Sequence, residues 1–134
     1  MNFIYGGVDG SGITDNMFVD YTGGFDLSDS LFLGINAAYS YSEDADAGYQ
    51  GAALYIENTF SDSFALGLRP EFFQLNGASD ETVTALTLAA SSSLTENLKV
   101  ITELRMDSSD DGIIEAFPTE ESVSALTIAA VYSF

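Results

Sequence analysis

Leu126-Thr127-Ile128-Ala129-Ala130-Val131-Tyr132-Ser133-Phe134, the last nine residues, sort by parity. Leu126, Ile128, Ala130, Tyr132 and Phe134 share one set of positions. Thr127, Ala129, Val131 and Ser133 share the other, which Ala125 continues backwards. Successive side chains of a strand face opposite sides, so this stretch reads as a strand with one greasy face ending on an aromatic residue. Chain termini are usually polar and frayed. An apolar face that runs to the final residue needs something apolar to lie against, either a protein core or a bilayer.

Composition narrows the classes. The 134 residues are enough for one domain with a modest core or a small barrel. Twenty-one acids against three bases, with no His, give a net charge of −18. Such a surface cannot displace counterions from phosphates, which argues against nucleic acid, and it excludes electrostatic anchoring to anionic lipid. Yet 46% of the residues are apolar and 13% are Phe or Tyr, too many for a disordered acidic chain. The absence of Cys and His removes disulfides, thiolate nucleophiles, the usual general base and the commonest transition-metal ligands. No apolar run approaches the roughly 18–20 residues of a spanning helix. Strand-like sequence follows Met1 directly, so a secretory signal is not expected within this stretch. Either it has been removed, or the sequence begins inside a longer gene.

Three echoes organise the chain: Leu27-Ser28-Asp29-Ser30-Leu31, Phe60-Ser61-Asp62-Ser63-Phe64 and Leu94-Thr95-Glu96-Asn97-Leu98, spaced by 33 and 34 residues. Each suits a tight turn between antiparallel strands, one hairpin per period. Acidic segments near 9–15, 43–48, 76–81 and 107–121 separate them. Short turns alternating with longer loops suit an up-and-down sheet. The alternation predicts strands at 2–8, 16–27, 30–42, 48–60, 63–76, 81–94, 97–107 and 121–134. Several exceed the usual soluble length and fit the ~9–11 residues that cross a bilayer at a tilt.

The faces then decide between sheet types. Leu31, Leu33, Ile35, Ala37, Tyr39 and Tyr41 oppose Phe32, Gly34, Asn36, Ala38, Ser40 and Ser42; Leu98, Val100, Thr102, Leu104 and Met106 oppose Lys99, Ile101, Glu103, Arg105 and Asp107. Every base, and the mid-strand acids Asp20, Glu57, Glu71 and Glu103, fall on the second face. A solvated face normally carries many Lys, Glu, Thr and Arg. This one is mostly Gly, Ala, Ser and Thr with a few opposite charges, closer to the crowded interior of a barrel. Aromatics near strand ends, such as Tyr39, Phe60, Phe64 and Tyr132, sit where girdles mark membrane interfaces. The expected fold is therefore all-β: a transmembrane antiparallel up-and-down barrel of about eight strands, formed by residues 1–134 as one domain.

The closing strand resembles the terminal strand of bacterial outer-membrane β-barrels, which implies that Leu126, Ile128, Ala130, Tyr132 and Phe134 form a signal for the assembly machinery. The resemblance sharpens elsewhere. Gly51-Ala52-Ala53-Leu54-Tyr55, the run Phe60 to Phe73 and Asn97-Leu98-Lys99 with Glu103-Leu104-Arg105-Met106-Asp107-Ser108-Ser109 resemble the C-terminal part of the OmpL-like β-barrel porins. With the closing nine residues as a third block, the resemblance runs from about residue 25 to the end of the chain. The resemblance implies an outer-membrane pore protein, and that this chain is the C-terminal portion of a larger porin.

Candidate site residues are the inward charges Asp20, Glu57, Arg69, Glu71, Lys99, Glu103 and Arg105. Rings of charged side chains set pore selectivity, so one reading is a constriction. The other is an ion-pair network filling a narrow barrel, since such a charge facing lipid costs ~2–4 kcal/mol at mid-bilayer. Glu43-Asp44-Ala45-Asp46 and Asp107-Ser108-Ser109-Asp110-Asp111-Gly112, with Glu115, Glu120 and Glu121, are oxygen-rich, but neither has the spacing of a calcium loop and both read as solvated charge runs. No metal site and no cofactor are expected. Gly6-Gly7-Val8-Asp9-Gly10-Ser11-Gly12 lacks a P-loop Lys and reads as a rim loop. Without a Ser–His, Cys–His or metal cluster, no catalytic residue and no enzyme are expected.

The expected function is a porin-like passive channel for ions or small solutes in a bacterial outer membrane. Its expected partners are the bilayer and lipopolysaccharide, the assembly machinery, and a second copy if the edge strands need one. The alternatives are a non-conducting structural or adhesive barrel with acidic loops, and a soluble acidic β-sandwich or fibre subunit.

Overall fold

A computed structural model of the protein describes residues 1–8, 13–77, 81–109 and 121–134. They form eight strands and, among the described residues, no helix: β1 (Asn2–Val8), β2 (Ile13–Asp26), β3 (Leu31–Ser42), β4 (Ala47–Ser61), β5 (Phe64–Asn76), β6 (Thr82–Thr95), β7 (Leu98–Ser109) and β8 (Ser122–Tyr132). The acidic segments at 9–12, 78–80 and 110–120, with Asp110, Asp111, Glu115 and Glu120, lie outside the described residues.

The repeated pentapeptides build the short turns by one device. In each, the hydroxyl at the second position accepts an amide two residues on: Ser28 Oγ from Ser30 N, Ser61 Oγ from Ser63 N and Thr95 Oγ1 from Asn97 N, all at 3.3 Å. A side-chain acceptor of this kind competes with the strand ladder and reverses the chain. The first turn is tied further, because Leu27 N donates to Leu31 O at 2.8 Å.

The strands form one sheet in the order β1-β2-β3-β4-β5-β6-β7-β8, each antiparallel to its sequence neighbours. This is the predicted up-and-down order and strand number. The ring is not closed: among the described residues β1 pairs only with β2 and β8 only with β7. β1 is the weakest stave, seven residues long with a register shift between Gly6 and Val8.

Residues opposite one another in an antiparallel ladder lie on the same face, so the register sorts the whole sheet. One face carries Phe18, Asp20 and Thr22 of β2, Gly34 and Asn36 of β3, Tyr55 and Glu57 of β4, Arg69 and Glu71 of β5, Thr87 of β6 and Arg105 of β7. A single cavity of about 580 Å³ touches residues from β2 through β7, among them Thr22, Tyr55, Arg69 and Glu103. The sheet is therefore curled with this face inside.

Burial is inverted relative to a soluble domain. The buried residues among those described, Gly34, Ala53, Ala85, Thr87 and Ser109, all belong to the inner face, and none of the described large side chains is fully buried. On the outer face Leu54, Leu66, Phe72, Leu88, Leu104, Leu126 and Ile128 are 39–68% exposed. Bulky apolar groups thus point outward with nothing packed over them. The inner face is less uniformly small than the sequence suggested. β6 and β8 fit, with Ala85, Thr87, Ala89, Ala125, Thr127 and Ala129 inward, but β4 and β5 turn Tyr49, Tyr55 and Phe73 inward. Tyr49 and Phe73 stack with ring centroids 6.0 Å apart.

Candidate functional site

All seven predicted charges fall on the inner face, but the structure brings only some of them together. β6 decides which. Its inward residues at the centre, Ala85 and Thr87, are too short to separate the side chains of β5 from those of β7. Arg69, Thr87 and Arg105 share one rung of the ladder; Glu71, Ala85 and Asp107 share the next. Arg105 reaches across β6 to pair with Glu71. It also donates from Nε to both oxygens of Asp107 at 3.0 Å, while its second terminal nitrogen lies 2.8 Å from Oδ1. Arg69 Nε stands 3.2 Å from the same Glu71 carboxylate. Its guanidinium carbon also lies 5.7 Å from the centroid of the Tyr55 ring, within cation–π range.

Two arginines are thus compensated by two carboxylates, with side chains 20–36% exposed. Pairs this open to water interact weakly one by one, and it is the shared Glu71 that makes them a unit. Asp107, Tyr55 and Thr87 complete the group and were not among the predicted site residues. Asp107 had a signal, since it shares parity with Glu103 and Arg105. It closes the predicted strand 97–107, but it also heads the acidic run Asp-Ser-Ser-Asp-Asp-Gly, which groups it with that loop rather than with the site, whereas β7 continues to Ser109. Thr87 had no signal.

The remaining predicted charges stand apart. Glu57 and Glu103 share a rung three strands apart, with Gly67 and Ala89 between them, and neither has an ion-pair partner among the described residues. Asp20 accepts from Asn2 Nδ2 at 3.1 Å. Lys99 is exposed near the β6–β7 turn, opposite Ser93 and Val131.

Of the acidic loops, Glu43–Asp46 forms a tight turn. Asp46 adopts φ 46° there and accepts a hydrogen bond from Tyr41 Oη at 2.7 Å. Among the described residues no group of three or more His, Cys, Asp or Glu is arranged to hold a metal ion. On β8, Leu126, Ile128, Ala130 and Tyr132 share the outer face. Beyond the strand, Ser133 is clamped by Asn97: Ser133 N donates to Asn97 O at 2.9 Å, and Asn97 Nδ2 to Ser133 O at 2.7 Å. Phe134 is fully exposed.

Long antiparallel staves, bulky apolar groups outside and charges gathered inside define the class of outer-membrane β-barrels. Within that class the chain belongs to one family: all of it, residues 1–134, matches the family described as Putative beta-barrel porin-2, OmpL-like. The match extends over the first 24 residues as well, where the resemblance read from the sequence is weak. No curated protein and no solved structure matches the chain.

Proposed function

We propose that the protein is a passive, non-enzymatic channel of the bacterial outer membrane, admitting ions or small solutes. The observation that carries this reading is the inverted burial. A concave face lined by charges and small residues keeps a cavity of about 580 Å³, while the convex face is an uncovered apolar belt suited to lipid. Family membership supports the same class. In this reading the bilayer and lipopolysaccharide surround the belt, and Leu126, Ile128, Ala130, Tyr132 and Phe134 present the signal to the assembly machinery.

A second reading draws on the ion-pair group. Arg69, Glu71, Arg105 and Asp107 cross the wall together, as they would in a narrow structural barrel whose interior is filled by side chains. Two measurements separate the readings. Folding in detergent with a mobility difference between unheated and boiled samples is expected for either barrel; a chain folded and monomeric in plain buffer is expected for neither. Discrete conductance steps in a planar bilayer are expected for the channel, and their absence from correctly folded protein would leave the structural barrel.

A further inference from the structure

We infer, on the basis of the channel reading, that the solute is a cation, and that the oblique line of carboxylates Asp26, Glu57 and Glu103 carries it past the wall. The ladder places these three on one rung. Asp26 opposes Phe32, Phe32 opposes Glu57, and Glu57 continues through Gly67 and Ala89 to Glu103 and Thr127. No base lies on that rung. With strands about 4.8 Å apart, the carboxylates recur every ~10–14 Å around the inner wall. The spacing suits a series of attractive positions rather than one chelating site. Glu57 and Glu103 open on the same cavity, which Gly67 and Ala89 between them, and Phe32 and Tyr55 beside Glu57, also line.

The bases on the same face do not cancel this line. Arg69 and Arg105, one rung away, are matched charge for charge by Glu71 and Asp107. Lys99, two positions from Glu103 along β7 on the same face with Ile101 between, stands near the turn end and opposes only Ser93 and Val131. Asp20 adds a further acid toward the other end, beside Asn2. Across the described inner-face strand positions the surplus is acidic, and its uncompensated part is concentrated on the Asp26–Glu57–Glu103 rung. Rows of Asp and Glu along a pore wall raise the local concentration of cations and reject anions.

The test is the reversal potential of the folded channel in a KCl gradient across a planar bilayer. The intact protein is expected to favour K⁺ over Cl⁻ several-fold. The triple variant Asp26→Asn/Glu57→Gln/Glu103→Gln is expected to lose most of that preference, and Glu57→Arg/Glu103→Arg to reverse it. Asp62→Asn, in the β4–β5 turn, removes the same unit charge away from the wall and is expected to leave the preference unchanged. If the triple variant does not show the mobility shift of folded protein, the single variants Glu57→Gln and Glu103→Gln are each expected to lower the preference in part. Steps with no ion preference, with anion preference, or with a cation preference that survives neutralisation of the rung overturn the inference and leave the channel standing. Absence of steps from folded protein overturns the channel reading itself.

Discussion

Glu71 is reached by both Arg69 and Arg105, and its removal leaves two guanidinium groups on neighbouring strands with only Asp107 to compensate them. Breaking a partly buried pair by deleting one partner strands the other charge, a cost of about 1–3 kcal/mol when water is partly excluded. Glu103 has no such partner. Glu71→Gln is therefore expected to lower the unfolding free energy by about 1–3 kcal/mol and Glu103→Gln to leave it nearly unchanged. Denaturant unfolding from phospholipid vesicles measures both, and equal losses would show that the shared carboxylate contributes nothing special. At this scale the sequence was half legible. Parity alone put all seven charges on one face, because the side-chain period of a strand is local. Which charges meet depends on the shortness of Ala85 and Thr87 on a third strand, and no pattern within β5 or β7 encodes that.

Strand by strand, alternation is the sequence's firmest statement. The eight predicted strands match the observed ones to within a few residues, because a period of two and a hydroxyl-capped turn are both set by neighbours in the chain. β2 starts earlier than expected, at Ile13, and β7 runs two residues beyond the expected end, to Ser109. Asp15 at the first place and Ser108 and Ser109 at the second lie in acidic segments and read as loop, although the partner strand still has backbone groups to pair. The alternation makes a sharp prediction for β6, whose Leu88 faces out and Ala89 faces in. The chain has no native cysteine, so in vesicles Ala89→Cys is expected to react with a water-soluble maleimide and Leu88→Cys to stay protected until detergent is added. The opposite order would mean that the faces have been assigned the wrong way round. Depth adds a second test on the outer face. Leu104→Arg, near the middle of β7, is expected to destabilise the protein in a bilayer by ~2–4 kcal/mol, and Phe64→Arg, at the start of β5, by ~0–1 kcal/mol. Comparable penalties at both positions would argue against a membrane-spanning orientation.

For the molecule as a whole, the open seam is the deciding feature. The outer edges of β1 and β8 present backbone amides and carbonyls that no described strand pairs, and a bilayer does not tolerate such edges. Joining them within one copy gives an eight-stranded ring, whose interior is only wide enough for side chains. Here the inner face must hold Phe18, Phe32, Tyr49, Tyr55 and Phe73 as well as the arginine group, so that ring would be plugged. Joining β8 of one copy to β1 of another, and the reverse, closes a ring around a two-fold axis and keeps a lumen. It also keeps every pairing antiparallel, since β1 and β8 run in opposite directions. Closure is the one part of the architecture that alternation cannot report, because it depends on the meeting of the two most distant strands. Conduction by this 134-residue chain is therefore expected from a species of twice the 14.3 kDa mass of one copy. Light scattering on detergent-solubilised fractions, each then reconstituted into planar bilayers, separates the cases. Conductance from the dimeric fraction alone supports the shared ring. Steps of equal size from a strictly monomeric fraction would show that one copy closes around an open pore, and that the inner aromatics move aside to make room.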